Sequence, residues 1–379
     1  MDGLTLLMAL IAVLVTVAVI VGWGVFIGRR EARNRRVRNA RGRLLRRRRA
    51  LAPDARPRAA VIINPTKLDS PAPVRSHIVD ICMEHGWADP LWFETTVAEP
   101  GTTQAQAAAG AGVSLVCVIG GDGTVRAVAA ALVDTGIPLG LLSGGTGNLL
   151  ARNLNLPVDS LEHALHVALA GATRAVDVGV AELSHRAPEL NEHDEPLVEP
   201  DAPSAAPPSQ PTRREIFLVM AGIGFDATVV AEAPPRLKAK VGAAAYVVSG
   251  MRNLYGPRFA VDFTLDGQPT FHRRVRSVIV GNCGRLQGGI ELLPDATIDD
   301  GWLDIVLLSP TGVVGWAAVL ARVVTKRRRG HQRIDHHRCH HMELRLDQQQ
   351  EVQLDGDLVG PAELLQLSLR PGALLIRVE

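Results

Sequence analysis

Aromatic residues are scarce in this chain: Trp, Tyr and Phe make up 4% of 379 residues, and only two of them are tyrosine. Proteins that read unpaired bases stack them on aromatic faces, so this composition argues against a nucleic-acid partner. Cysteine is equally sparse. Cys82, Cys117, Cys283 and Cys339 are scattered and share no metal-ligand spacing. That excludes zinc ribbons and disulfide scaffolds and fits a reducing compartment. Charge is missing from one segment altogether: no Asp, Glu, Lys or Arg lies between Leu4 and Ile27. Acids are then rare where bases are dense. Residues 29–58 hold 14 arginines against two acids, a net +12, while the whole chain carries only +2. Residues 59–379 are therefore acidic.

The uncharged run, as a helix, would measure about 36 Å, enough to cross a bilayer core. A cleaved signal peptide is the rival reading, but it wants positive charge before the apolar run. Here only Met1, Asp2 and Gly3 precede it and the arginines follow. The expectation is a transmembrane helix over residues 1–28 and a basic juxtamembrane arm over 29–58. The catalytic body would then lie in the cytoplasm, making a single-pass cell-membrane protein. The arm, Arg29 to Arg58, is expected to meet anionic lipid headgroups rather than act as an inert linker.

What is abundant is glycine in patterned places. Val113–Ile119 is a short apolar run of strand character, followed by Gly120-Gly121-Asp122-Gly123-Thr124 and then the helix-forming Val125–Val133. Strand, glycine turn and helix in that order leave backbone N–H groups bare at a helix N-terminus, where phosphate oxygens can approach. Asp122 cannot bind phosphate itself but suits Mg²⁺. A second such unit follows: Leu139–Leu142, then Ser143-Gly144-Gly145-Thr146-Gly147-Asn148, then Leu149–Asn153. Two such units in one sheet can grip a polyphosphate from two sides.

These motifs, taken with others in order, resemble the diacylglycerol-kinase catalytic superfamily, in particular bacterial lipid kinases related to diacylglycerol and sphingosine kinases. The residues that carry the resemblance begin with Asn64-Pro65-Thr66-Lys67 after the strand Ala60–Ile63. Gly121–Thr124 and Gly145–Asn148 come next. Gly222–Ala227, Pro294–Gly301 and Asp355-Gly356-Asp357 complete the order. Three departures stand out. The family commonly has proline where Ser143 stands and an acid where Leu149 stands, and its last motif usually ends in Glu where this chain has Asp357.

The pattern along the chain gives an α/β protein of two domains. Residues 59–177 alternate strands and helices, as a Rossmann-like parallel nucleotide domain does. Residues 178–361 read as a mainly antiparallel β domain, which the resemblance implies is the lipid-substrate domain. Candidate strands there are Ile216–Ala221, Phe259–Leu265, Val275–Val280, Trp302–Leu308 and His341–Leu346. The resemblance implies that residues 362–379 return to the first domain. The Pro- and acid-rich stretch 185–214 is expected to be a disordered loop between two strands. Helix 312–324 is expected to pack plainly. The histidines His331, His336, His337, His340 and His341 read as a polar loop, because adjacent strand residues face opposite ways and Lys326–Arg329 would repel a cation.

Phosphoryl transfer needs a nucleotide cradle, a cation and a carboxylate to take the acceptor's proton. Asn64, Thr66, Gly121–Thr124 and Thr146 are candidate phosphate donors. The resemblance adds Pro65, Lys67, Gly145 and Asn148, with Thr95 as a further nucleotide contact and Thr96 as its alternative. Asp355 is the candidate base, Asp357 its alternative, and Asp122 a catalytic carboxylate. The resemblance also implies ATP as donor and a second, structural Mg²⁺ on the carbonyls of Thr297 and Trp302 and the carboxylate of Asp300, with Asp177 joining Asp122 in a water-linked network. The expected partner is a membrane lipid alcohol, diacylglycerol first and a sphingoid base or other lipid alcohol next, and a homodimer is left open. Two readings from other classes remain: an NAD-kinase-like metabolite kinase and an inactive nucleotide sensor.

Overall fold

Alternation in β1 (Arg58–Ile63) shows how the N-terminal half is built. Ala60 and Ile62 point into one apolar cluster and Ala59, Val61 and Ile63 into another, because successive strand residues face opposite sides. The strand is buried on both faces, which is the signature of a parallel sheet covered by helices. β1 pairs in parallel with β2 (Ala88–Glu94) and with β3 (Leu115–Gly120), and β3 pairs in parallel with β4 (Leu139–Ser143). Helices α2 (Thr102–Gly110) and α3 (Asp122–Leu132) cover one face, through Ala105, Ala108, Val128 and Leu132. Helices α1 (Pro71–Glu84) and α5 (Leu161–Ala170) cover the other, through Ile78, Ile81, Leu165 and Ala168. Between β4 and α5 lies the single turn α4 (Leu149–Asn153).

This computed structural model describes residues 56–68, 70–184, 212–224, 258–285, 293, 295–309 and 334–379. Past α5 the chain turns to antiparallel pairing. β5 (Ala172–Ser184) pairs with β6 (Arg213–Phe217). β7 (Met220–Gly224), β8 (Phe259–Leu265), β9 (Phe271–Val275), β10 (Ser277–Gly281), β11 (Leu303–Leu308) and β12 (Ile334–Cys339) follow, and then the long β13 (His341–Leu354) and β14 (Asp357–Val378). Phe217, Phe259, Phe263, Met342 and Leu344 fill the core of this region. β14 joins the two halves. It runs antiparallel to β13 and β5 and meets β4 in parallel at Ile376–Leu139. A bulge at Arg370–Leu374 lets it change neighbours.

Several expectations are corrected in detail. Arg213 and Arg214 belong to β6, paired with Leu183 and Glu182, rather than to the loop; residues 185–211 lie outside the described residues. The run read as one strand over Ile216–Ala221 is two, broken at Leu218-Val219, and a short break at Arg276 separates β9 from β10. His336 and His337 sit on β12 rather than in a loop, while His331 lies outside the described residues, as does the helix expected at 312–324. The single-pass membrane placement finds no support in the structure: no helix among the described residues is long and apolar enough to cross a membrane. The run Leu4–Ile27 and the arm up to Ala55 lie outside the described residues, and Arg58 opens β1.

Candidate active site

Because β3 and β4 are parallel neighbours, with Gly120 opposite Ser143, both glycine turns leave the sheet side by side at the strands' C-terminal ends. They touch. A Cβ on Gly145 would stand 2.8 Å from Gly121 Cα, and one on Gly144 would stand 3.1 Å from the Gly120 nitrogen. Asn148, in the left-handed region at φ 47°, clamps the second turn. Its Oδ1 accepts the Gly145 N–H at 3.2 Å and its Nδ2 donates to the Gly145 carbonyl at 2.8 Å. Asp122 then ties the turns together, its Oδ1 accepting the Leu149 N–H at the start of α4 at 2.6 Å. Burial pushes the Asp122 carboxyl up to about 6; the Leu149 bond opposes this, and the charges of Asp355 and Asp357 add to it.

Asn64 follows β1 and caps a 3-10 turn, Pro65–Lys67, by accepting the Thr66 N–H at 3.1 Å and the Thr66 hydroxyl at 2.8 Å. Its amide also donates to Thr124 Oγ1 at 3.4 Å. Thr66 and Thr124 are thus bound to the same asparagine.

The third piece arrives from the far end of the chain. Leu354 pairs with Asp357, so Asp355-Gly356 is a two-residue hairpin turn, with φ 53° and 91° at its centre. Positive φ at both positions is the geometry such hairpins favour. The Asp355 side chain is buried and accepts three backbone N–H groups, from Leu218 at 2.9 Å, Val219 at 2.8 Å and Met220 at 3.0 Å. Two of these donors, Leu218 and Val219, lie in the break between β6 and β7. Burial raises the Asp355 carboxyl, opposed by these bonds and by the Arg126 charge. Asp357, half exposed, lies against Gly123, where a Cβ would collide with its Oδ2. Its Oδ2 accepts from Arg126 Nη2 at 3.3 Å.

Together these residues wall an open cleft of about 410 Å³, lined by Asn64, Lys67, Gly121 to Thr124, Gly145, Thr146 and Asp355 to Asp357. Thr146 is exposed on it. Thr96 lines the cleft, while Thr95 is 4% exposed at the end of β2 and donates its N–H to Ile63. Pro65, Thr66 and Asn148 shape the turns behind the lining. Arg126 was not anticipated from the sequence. Its spacing of four from Asp122, which puts both on one face of α3, was the available signal.

The residues expected to hold a second Mg²⁺ are differently engaged. Asp300 Oδ2 is paired with Arg338, whose Nε also reaches Asp304 Oδ1 at 3.0 Å. Asp300 Oδ1 accepts the Trp302 N–H at 3.1 Å, and the Thr297 carbonyl accepts the Asp300 N–H at 3.2 Å. Arg174 pairs with Asp299 at 3.0 Å. Burial pushes the Asp304 carboxyl up to about 6, with Arg338 opposing. With a guanidinium already seated between these carboxylates, Thr297, Asp300 and Trp302 as arranged do not fit a divalent ion. Among the described residues no group of three His, Cys, Asp or Glu could hold a metal, and that includes the histidines of β12.

Comparison with known proteins places this arrangement. Residues 58–181 match the diacylglycerol kinase catalytic domain, and residues 219–378 match the YegS C-terminal NAD kinase beta sandwich-like domain. The chain belongs to the diacylglycerol kinase catalytic-domain superfamily. It is 28% identical over 209 residues to a probable lipid kinase YegS-like of Enterobacter sp. (strain 638), covering 54% of this chain and 59% of that relative. With the diacylglycerol kinase of Bacillus subtilis (strain 168) it shares 25% identity over 321 residues, 82% of this chain and 93% of the relative. A putative diacylglycerol kinase from Bacillus anthracis str. Sterne has the same fold, with a TM-score of 0.64 at 23% identity, covering 85% of this chain and 97% of that one.

Proposed function

We propose that this protein is an ATP-dependent lipid kinase that phosphorylates the hydroxyl of a lipid alcohol, diacylglycerol foremost. The observation that supports it most is the meeting of two glycine turns with the Asp355-Gly356-Asp357 hairpin around one cleft. Family membership supports the class of reaction. Gly121 leaves room for phosphate at the start of α3, with Thr124 and Thr146 on the cleft wall, while the space at Gly123 and Gly145 is taken by Asp357 and by the neighbouring turn. Lys67 on the rim is a cation for the phosphates.

Three carboxylates, Asp122, Asp355 and Asp357, face a cleft with little positive charge, which fits a nucleotide that arrives as its Mg²⁺ complex. Asp122 and ordered water would hold that ion. When bound, it offsets charge on the β- and γ-phosphates. Proton removal falls to the hairpin. Asp355 has three of its acceptor sites filled by backbone donors, so it is held rigid, while burial raises its carboxyl and with it the affinity for a proton. Asp357 is more exposed and aimed across Gly123. Asp355 remains the base in this reading, with Asp357 orienting the acceptor hydroxyl and Arg126 holding Asp357.

The test is to incubate purified full-length protein with γ-labelled ATP, Mg²⁺ and, in parallel, diacylglycerol, a sphingoid base and NAD in mixed micelles. Label in phosphatidic acid supports the reading. Label in the sphingoid base or in NADP moves the assignment to that acceptor, and nucleotide binding without transfer to any acceptor favours the inactive sensor.

A further inference from the structure

We propose that Arg338 is a built-in cation for the turn Thr297–Trp302, so that this chain holds the turn without a divalent metal ion. The strand register supports this first. Asp304 and Arg338 are directly opposed in the antiparallel pair β11–β12, which delivers the guanidinium to the acidic turn each time the sheet forms. There it spans two carboxylates, Asp304 through Nε at 3.0 Å and Asp300 through Nη2. A planar fork of donors suits this bridging, where an ammonium would give one point contact. The guanidinium also stands 5.6 Å from the centre of the Trp302 ring, a third contact favourable to a cation.

The rest of the turn is held in the same metal-free way. Arg174 neutralises Asp299. Asp177 accepts the Gly301 N–H at 2.7 Å and the Gly372 N–H at 2.6 Å on separate oxygens, fixing the turn to β5 and to the bulge in β14. A divalent ion brought to Asp300 would sit beside a fixed positive charge and would have to displace it.

The turn is linked to the cleft. The Asp177 carbonyl accepts from Asn282 Nδ2 at 2.9 Å, and the same nitrogen donates to the Leu218 carbonyl at 2.8 Å. The Leu218 N–H donates in turn to Asp355. Arg338 therefore holds the turn that Asp177 ties, through Asn282 and Leu218, to a buried carboxylate of the cleft.

Melting curves of the nucleotide-free full-length protein, in EDTA and in millimolar Mg²⁺, test this together with Mn²⁺ binding followed by electron paramagnetic resonance. The wild type is expected to melt at the same temperature in both. Arg338→Met, which keeps the apolar stem, should melt several degrees lower, and recovery of that loss by Mg²⁺ would strengthen the proposal. If Arg338→Met does not fold, Arg338→Lys serves in its place, melting lower than wild type for want of the bridging fork. Two results overturn the proposal. One is Mg²⁺ stabilisation of the wild type that survives Asp122→Asn but is lost in Asp300→Asn. The other is an Arg338 variant as stable as wild type. Neither readout uses phosphoryl transfer, so the outcome stands whichever acceptor the enzyme takes.

Discussion

Two turns with the same sequence signature, Asp-Gly with glycine at positive φ, end in opposite electrostatic states. At Asp300-Gly301, three carboxylates (Asp299, Asp300 and Asp304) are matched by Arg174 and Arg338. At Asp355-Gly356, the carboxylates Asp122, Asp355 and Asp357 face an open cleft, with Arg126 as their ion-pair partner at Asp357. The first turn is a closed structural joint. The second keeps negative charge that a cation-bearing ligand can offset. Which Asp-Gly turn is chemical cannot be read from the dipeptide; it depends on which carboxylates the fold leaves uncompensated.

The largest effects should come from removing charge at the open turn. Asp122→Asn should lower kcat at least about a hundredfold, the scale of losing one transition-state electrostatic contact, with melting little changed because an amide oxygen can still accept the Leu149 N–H. Asp355→Asn should lose as much activity and also melt lower. Its NH₂ would face backbone donors, and each orphaned N–H costs about 1–3 kcal/mol. Steady-state kinetics beside calorimetry separates the two; equal melting of both variants would show that the buried carboxylate is not structural.

A smaller loss is expected where no charge is removed. Gly123→Ala pushes Asp357 aside, since the new methyl meets its Oδ2, yet the residue lies in the first turn of α3, where alanine is favoured over glycine by about 0.5–1 kcal/mol. kcat should fall roughly tenfold, the cost of about 1.4 kcal/mol in the barrier, without loss of stability. An active variant would dissociate Asp357 from the chemistry.

Arg126→Met should lower kcat by a similar or smaller factor, and the double variant with Asp357→Asn should be no worse than Asp357→Asn alone if the arginine acts through that carboxylate. Additive losses would give Arg126 a separate role.

The smallest effect separates the turns by pH. Asp122 and Asp304 are both raised to about 6 from an ordinary 3.8. The folded state therefore binds more protons than the unfolded state between those values, so stability falls as pH rises through that window. The nucleotide-free protein should melt higher at pH 5 than at pH 7, and Asp122→Asn should remove part of that slope. A melting point that rises with pH over this range would contradict the assignment of both groups.

Much of this was legible beforehand because it is local. Strand, glycine turn and helix are encoded within a few residues, so the two glycine turns and their order could be read directly, and so could the alternation that makes β8 face the core. The antiparallel character of the second half was also visible in its short apolar runs. Less visible were β12, whose histidines disguise an edge strand, and the break at Leu218-Val219, which makes sense only once Asp355 is there to receive the N–H groups. Thr96 replaced Thr95 on the cleft wall because a single step along the chain at a strand end reverses which side chain faces out.

By itself the sequence determined the elements and the two glycine turns, since backbone preference and side-chain period act over short range. Only the tertiary structure decided the charge balance. Arg126 meets Asp357 across 231 positions, and Arg338 meets Asp300 because β12 pairs with β11 in one register. Ion pairs of that kind depend on distances of a few ångströms between strands remote in sequence, and no local pattern carries that information.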